Sequence, residues 1–170
     1  YGMSETRLKF TNLECDLSRY FYNYTCRLRA VNRYKTLATI KTYVRDVLRN
    51  TSVNVALYAR NDVQVYRPFL LNFSLNICEF LVKRKANFYT NVIQKYITEF
   101  TNVNHTCPYR GYIIADSLFI DESIDVVSKI LSNYFTSSYR VVLNFYEGYP
   151  LDFIGKITFT IEVVEVKKTG

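Results

Sequence analysis

Four cysteines and four asparagines are the residues here whose types and spacing bear most directly on chemistry. The cysteines stand at 15, 26, 78 and 107, with spacings of 11, 52 and 29. Disulfides, zinc ligation and nucleophilic catalysis are the uses open to them. Zinc is poorly served, because structural zinc sites draw on close Cys or Cys/His pairs. This chain has no close Cys pair and a single His, His105. With one His, no convincing Ser-His-Asp or Cys-His set can be assembled. His105 itself lies within Asn104-His105-Thr106-Cys107, a poor place for a general base. The acidic cluster Asp121, Glu122 and Asp125 is better explained as a capped helix start, where carboxylates complement the helix dipole. Five glycines form no phosphate-cradling loop. No catalytic residue, metal ligand or cofactor is expected, and an enzyme ranks far behind a binding protein.

The asparagines give the cysteines their context. Asn23-Tyr24-Thr25, Asn50-Thr51-Ser52, Asn72-Phe73-Ser74 and Asn104-His105-Thr106 all satisfy the glycosylation pattern with no proline in the middle. One or two such matches arise by chance. Four of them beside four cysteines favour an oxidising, extracellular location. No apolar run approaches the roughly 18–20 residues needed to span a bilayer, so no membrane-spanning segment is expected. The first residues, Tyr1-Gly2-Met3-Ser4, lack the charged-then-apolar pattern of a secretion leader, and the sequence reads as a mature form. The segment from Cys78 to Cys107 encloses an amphipathic stretch between an alternating strand and a sequon. Its two cysteines are expected to bond and clip a helix onto the edge of a β-fold, contributing on the order of 3–4 kcal/mol. Cys15 and Cys26, across a turn, are placed where a bond between neighbouring strands would contribute roughly 3 kcal/mol.

The elements that must position these residues are mostly strands. Sixteen Tyr, twelve Phe, three Pro and no Trp make a β-rich, aromatic-cored composition. Period-two alternation runs through residues 7–15, 26–32, 37–48 and 53–59, with a turn pair at Asn61-Asp62. Pro68 demotes the following ladder to an edge or a bulge. Leu71, Phe73, Leu75 and Ile77 alternate with Asn72, Ser74 and Asn76, which turns the Asn72 sequon outward. Between 86 and 101 the period changes: Val92, Ile93, Tyr96, Ile97 and Phe100 fall on one helical face. Strands resume around 112–120, 139–145 and 157–163, and Asp121 or Ser123 is placed to cap a short second helix reaching Leu131. A single domain over 1–170 is expected, an all-β, immunoglobulin-like sandwich of about eight strands plus one helix, its strand order left open.

Charge is uneven. The net +7 divides into fifteen Lys/Arg against six Asp/Glu in residues 1–85 and seven against nine in 86–170. Arg27, Arg29 and Lys41 occupy outward strand positions and are candidates for a face that docks an acidic partner; a merely solvated face is the plain alternative. Nucleic acid fits poorly with four sequons and is not expected as a partner. The apolar interior offers a second kind of site. A sandwich this rich in Phe, Tyr, Leu and Ile either fills its core or leaves a cavity between the sheets. The stretch from Phe145 to Ile154 is more apolar than a surface turn usually is. Phe73, Leu75, Leu143, Phe145, Tyr149, Phe153, Ile154 and Phe159 are therefore the candidates for lining such a cavity.

Several of these residues carry a resemblance. Phe10-Thr11-Asn12-Leu13-Glu14-Cys15 is similar to the opening of a large insect family of secreted domains of unknown function. A denser match follows in Tyr66-Arg67-Pro68-Phe69-Leu70, Asn72, Cys78-Glu79-Phe80-Leu81 and Asn104-His105-Thr106-Cys107-Pro108-Tyr109. That family resembles the CheB proteins of insect taste organs and, more distantly, the ML lipid-recognition domains. The resemblance implies an ML-type sandwich holding a lipid between its sheets. Two positions depart from the pattern: Thr136-Ser137-Ser138-Tyr139-Arg140 replaces a Pro-Gly-Glu-Tyr-like turn, and Asn76 stands where Asp is usual. ML domains often tie their first cysteine to one near the C-terminus, which this chain lacks. By that comparison the expected pairs are Cys15–Cys26 and Cys78–Cys107. The function expected is binding of a hydrophobic ligand, a lipid or pheromone-like hydrocarbon, outside the cell and in a chemosensory setting. The alternative is a secreted interaction module, a co-receptor or signalling subunit with a solid core.

Overall fold

The computed structural model describes residues 2–60, 64–82, 88–120 and 138–169. Among these are eight strands and two helices. In chain order they are β1 (Gly2–Leu17), β2 (Phe21–Asn32), β3 (Lys35–Leu48), β4 (Thr51–Arg60), β5 (Tyr66–Asn76), α1 (Ile77–Val82), α2 (Phe88–Phe100), β6 (Tyr109–Leu118), β7 (Ser138–Glu147) and β8 (Asp152–Thr169). They form an all-β sandwich. One sheet has five strands in the order β1-β8-β7-β4-β5, the other three in the order β2-β3-β6. Every strand pairing is antiparallel. Asn61, Asp62 and the proposed short helix from Asp121 or Ser123 to Leu131 lie outside the described residues.

Alternation decides which side of each strand faces in. Along β3, Thr36, Ala38, Ile40, Thr42 and Val44 are buried while Lys35, Lys41, Tyr43 and Arg45 are exposed. Along β8, Ile157, Phe159 and Ile161 are buried and Lys156 is exposed. The main core joins Leu8, Phe10, Ile157, Phe159 and Ile161 of the large sheet to Ala38 and Ile40 of the small one. Phe10 and Phe159 hold their rings 5.1 Å apart within it. A second core gathers Val44, Leu48, Phe80, Tyr109 and Ile154, with Leu75, Ile93, Ile97 and Cys107 packed against it. The helices belong to this second core. Ile93 and Ile97 of the helical stripe pack against it. On the opposite face Asn91, Thr98 and Glu99 are exposed, while Gln94 and Lys95 are half-buried.

Both disulfides are formed, Cys15–Cys26 and Cys78–Cys107. The first does not join neighbours within one sheet, because β1 and β2 lie in different sheets. It staples the two sheets together along one edge. The second bonds α1, which follows β5, to the residue two before β6. Those two strands are the edges of their respective sheets on the other side. Pro68 does sit on an edge strand, with a register shift close by between Ala56 and Tyr58 of the partner.

One expectation needs correction. Ile77 does not end the strand; it opens α1. The reason is local: the Asn76 side-chain oxygen accepts a hydrogen bond from the Glu79 backbone N–H at 3.0 Å, a helix N-cap that ends the extended run. At its far end α2 is locked to the β6 edge. Asn102 donates its backbone N–H to the Ile114 carbonyl at 3.2 Å. Its side chain accepts from Ile114 N–H at 3.0 Å and donates to the Tyr112 carbonyl at 2.8 Å.

Tyr109 stands where the clip meets β6. It is 4% exposed, and its hydroxyl donates to the His105 carbonyl at 3.1 Å. Burial pushes its pKa up to about 12, from 10 for a free tyrosine. The unfolded chain therefore releases this proton first as pH rises, so the contribution of Tyr109 is complete below pH 10 and is lost between about 10 and 12. Denaturation midpoints should fall over that interval, and Tyr109→Phe should make the fall shallower. An identical slope in wild type and variant would refute the assignment.

Candidate functional site

The inner face of the large sheet is set by register. Phe159 pairs with Val141, Ile157 with Leu143 and Gly155 with Phe145. Val141, Leu143 and Phe145 pair in turn with Leu57, Val55 and Val53. Val55 and Val53 then pair with Phe73 and Leu75. Directly opposed residues in antiparallel strands share a face, so these side chains form rows across one apolar surface. Phe73, Leu75, Leu143, Phe145 and Phe159 are thus brought onto one inner face, from three different strands, β5, β7 and β8.

Burial along a row is graded. Ile157 is 8% exposed, whereas Leu143, Val55 and Phe73 in the same row are each half-buried. The small sheet lies over the other end, with β1 against β2 and β3. Among the described residues the large sheet has two more strands than the small one, an excess of about 10 Å in width. Burial does not follow that excess strictly, since Val53 and Leu57 of β4 are buried. The α1–α2 segment covers part of that width, through Phe80, Ile93 and Ile97. Phe145 packs against both cores and marks the boundary between them.

The hairpin between β7 and β8 closes this end, and it departs from the expectation of an apolar loop turned inward. Ile154 is fully buried in the second core. Tyr149 and Phe153 lie at the surface instead, 94% and 47% exposed. A bulge explains the split. Phe145 pairs with Gly155 but Tyr146 pairs with Phe153, so Ile154 is the extra residue and Phe153 falls on the outer side. There its ring meets Tyr146, with centroids 5.7 Å apart. Gly148, at φ 77, supplies the left-handed residue that the turn needs.

Polar groups fix the hairpin. The Glu147 carboxylate accepts from the backbone N–H groups of Arg49 and Asn50 at 2.9 and 3.1 Å and from the Thr51 hydroxyl at 2.7 Å. Arg49 and Asn50 are the two residues by which the chain passes from β3 in one sheet to β4 in the other. Thr51 also donates its N–H to the Cys78 sulfur at 3.4 Å, which brings the second disulfide into the same cluster. Tyr20 donates its hydroxyl to Asp152 at 2.7 Å, and that bond, together with burial and the Asp152 charge, raises the tyrosine pKa. Nothing in the sequence flagged Glu147, whose partners lie 96–98 residues away.

The remaining candidates fall elsewhere. Arg27, Arg29 and Lys41 are exposed on the outer face of the small sheet. Asn23, Asn50, Asn72 and Asn104 are all exposed, as sugar attachment requires. Asn72 and Asn50 use their side-chain oxygens to accept from Asn54 at 2.8 Å and Asn76 at 2.7 Å. Among the described residues no group of three or more His, Cys, Asp or Glu is placed to hold a metal ion. Among them, too, no helix is long and apolar enough to cross a membrane.

A two-sheet sandwich with one disulfide between the sheets, a second from α1 to the entry of β6, and a half-buried inner row defines the structural class. Residues 53–151 match the family described as a protein of unknown function, DUF1091. That match covers more than half of the chain, and the protein belongs to this family. It takes in β4 to β7, both helices and the inner-face residues from Val53 to Phe145, while Cys15, Cys26 and Phe159 fall outside it. No curated protein matches the sequence.

The carboxylate and the surface aromatic make opposite demands on stability. Glu147→Gln should cost about 1–3 kcal/mol, because a charged acceptor for three donors is lost. Tyr149→Ser should stay within about 0.5 kcal/mol of wild type. Urea denaturation of the two variants distinguishes them, and equal midpoints would contradict the clamp.

Proposed function

We propose that the protein binds a hydrophobic molecule, a lipid or pheromone-like hydrocarbon, on the inner face of its large sheet. The observation that carries this reading is the row Leu143-Val55-Phe73, apolar, inward-facing and half-buried beside a fully packed Ile157. Burying a side chain of this kind is worth about 1.5–3 kcal/mol, so leaving three of them part-wet on the core side forgoes stabilisation that an apolar ligand would restore. Affinity would come from covered area, at about 25 cal/mol per Å², with few polar contacts. The reading involves no catalysis and no cofactor.

The resemblance to CheB proteins and ML domains supports the same reading and extends it to an extracellular carrier or presenter in chemosensation. Four exposed sequons and two disulfides support the location.

Native mass spectrometry of the protein purified from a secreting host should show a bound apolar species that organic extraction removes. The stripped protein should take up a fluorescent fatty acid or hydrocarbon probe. Val55→Phe combined with Leu143→Phe fills the row and should lower uptake at least tenfold while the protein stays folded. Failure of the stripped, folded wild type to take up any apolar probe would overturn the reading.

A further inference from the structure

The outer face of the small sheet carries a second pattern, on the opposite side from the inner rows. Tyr22, Tyr43 and Tyr112 are register partners across β2, β3 and β6, so three tyrosines stand in one row spanning the whole sheet. Neighbouring ring centroids are 5.3 Å apart at both steps. The three residues are 37%, 38% and 40% exposed, so the row forms an aromatic strip at the surface. The Arg45 guanidinium sits 5.1 Å from the Tyr22 ring.

Cations extend the strip along the strands. Lys41 follows Tyr43 on the same face of β3 and pairs with Thr25. Arg27 pairs with Thr39 and Arg29 with Leu37, one and two rows further on. From the tyrosine row to Arg29 is six residues of β3, about 20 Å along the strand. Asp116, which accepts from Thr39 at 3.2 Å, is the acidic group on the β6 side of that track. The face thus combines aromatic rings with an excess of positive charge.

We propose that this face binds an anionic polysaccharide, a linear chain of pyranose rings bearing sulfate or carboxylate groups. The C–H face of a pyranose is weakly positive and apolar, and it complements the negative face of an aromatic ring. Arg27, Arg29 and Lys41 supply partners for the acidic groups, with arginine suited to planar two-point pairing. A bare acidic peptide would use the cations and leave the tyrosines idle; a sugar polymer uses both. Nucleic acid would also use both, but sulfated and uronate-bearing sugars are the anionic polymers of the compartment where disulfides persist. That last step rests on the extracellular location proposed above. Binding itself does not depend on the interior ligand, since the two faces point opposite ways.

Heparin, as the probe, tests the assignment with the full chain. Wild type should bind heparin, and Arg27→Glu with Lys41→Glu should weaken binding at least tenfold. Tyr43→Thr, a strand-compatible replacement, should weaken heparin binding at least fivefold. Tyr112→Ser, on the edge strand, should act in the same direction should Tyr43→Thr fail to fold. Neither tyrosine variant should alter retention on polyglutamate, which reads charge alone. Heparin binding that is insensitive to the folded tyrosine variants would overturn the proposal. So would tighter binding to a single-stranded DNA oligomer, to anionic lipid vesicles or to polyglutamate than to heparin.

Discussion

Among the described residues, three connections fix how the two sheets lie against each other, and much of the molecule depends on them. Cys15–Cys26 ties the β1 edge to the β2 edge. Cys78–Cys107 ties the segment after β5 to the segment before β6. Between these edges, Glu147 holds the two-residue passage from β3 to β4. A five-stranded sheet facing a three-stranded one has no unique lateral alignment from hydrophobic burial alone, because the effect is non-directional. Covalent links at both margins and a three-donor carboxylate between them remove that freedom. Where the small sheet sits determines which inner rows are packed and which are left half-covered.

This division accounts for the two faces of functional interest. The inner rows are apolar, and burial varies along them: Ile157, Val53 and Leu57 are buried, while Leu143, Val55 and Phe73 are half-buried. The outer face of the small sheet is free to be polar, and its strands alternate strictly enough to place the tyrosines and cations in register. The family match includes the inner rows from Val53 to Phe145 but none of β2 or β3. Shared family properties therefore bear on the interior, whereas two of the three tyrosines belong to the part of the chain outside the match.

Much of the fold was legible because period-two patterning reports directly on burial. β3 and β7 read correctly and nearly so in extent, and the change to helical period located α2 within two residues. β8, read over 157–163, runs from Asp152 to Thr169, and Thr160, expected to face water, is buried. What the pattern missed was set at long range or by single polar atoms. β1 and β2 run well beyond their alternating cores, since pairing with β8 and β3 carries weakly patterned residues such as Gly2–Thr6 and Phe21–Thr25 into strands. The Asn76–Glu79 cap was present as a local signal, overshadowed by four preceding alternations. Phe153 was a cavity candidate on hydrophobicity, but a one-residue bulge reverses its facing without changing composition; Tyr149 sits in the turn between β7 and β8, where no strand facing applies. The tyrosine row was invisible as a unit, because it is assembled from residues 21 and 69 positions apart.

The edges of the large sheet also bear on how the protein behaves at high concentration. An edge strand offers unpaired backbone groups to any other strand, and β5 is such an edge. Pro68 lacks the N–H that a docking strand would need, and Leu70, in the left-handed region at φ 59, breaks the extended run two residues later. Asn72 follows, exposed and within a sequon, so a sugar there would stand guard over the next stretch. On the small sheet, Asn102 occupies the β6 edge as a one-residue substitute for a partner strand. These devices oppose growth of either sheet by strand addition at the β5 and β6 edges, so the apolar rows can remain incompletely packed without the sheets being extended.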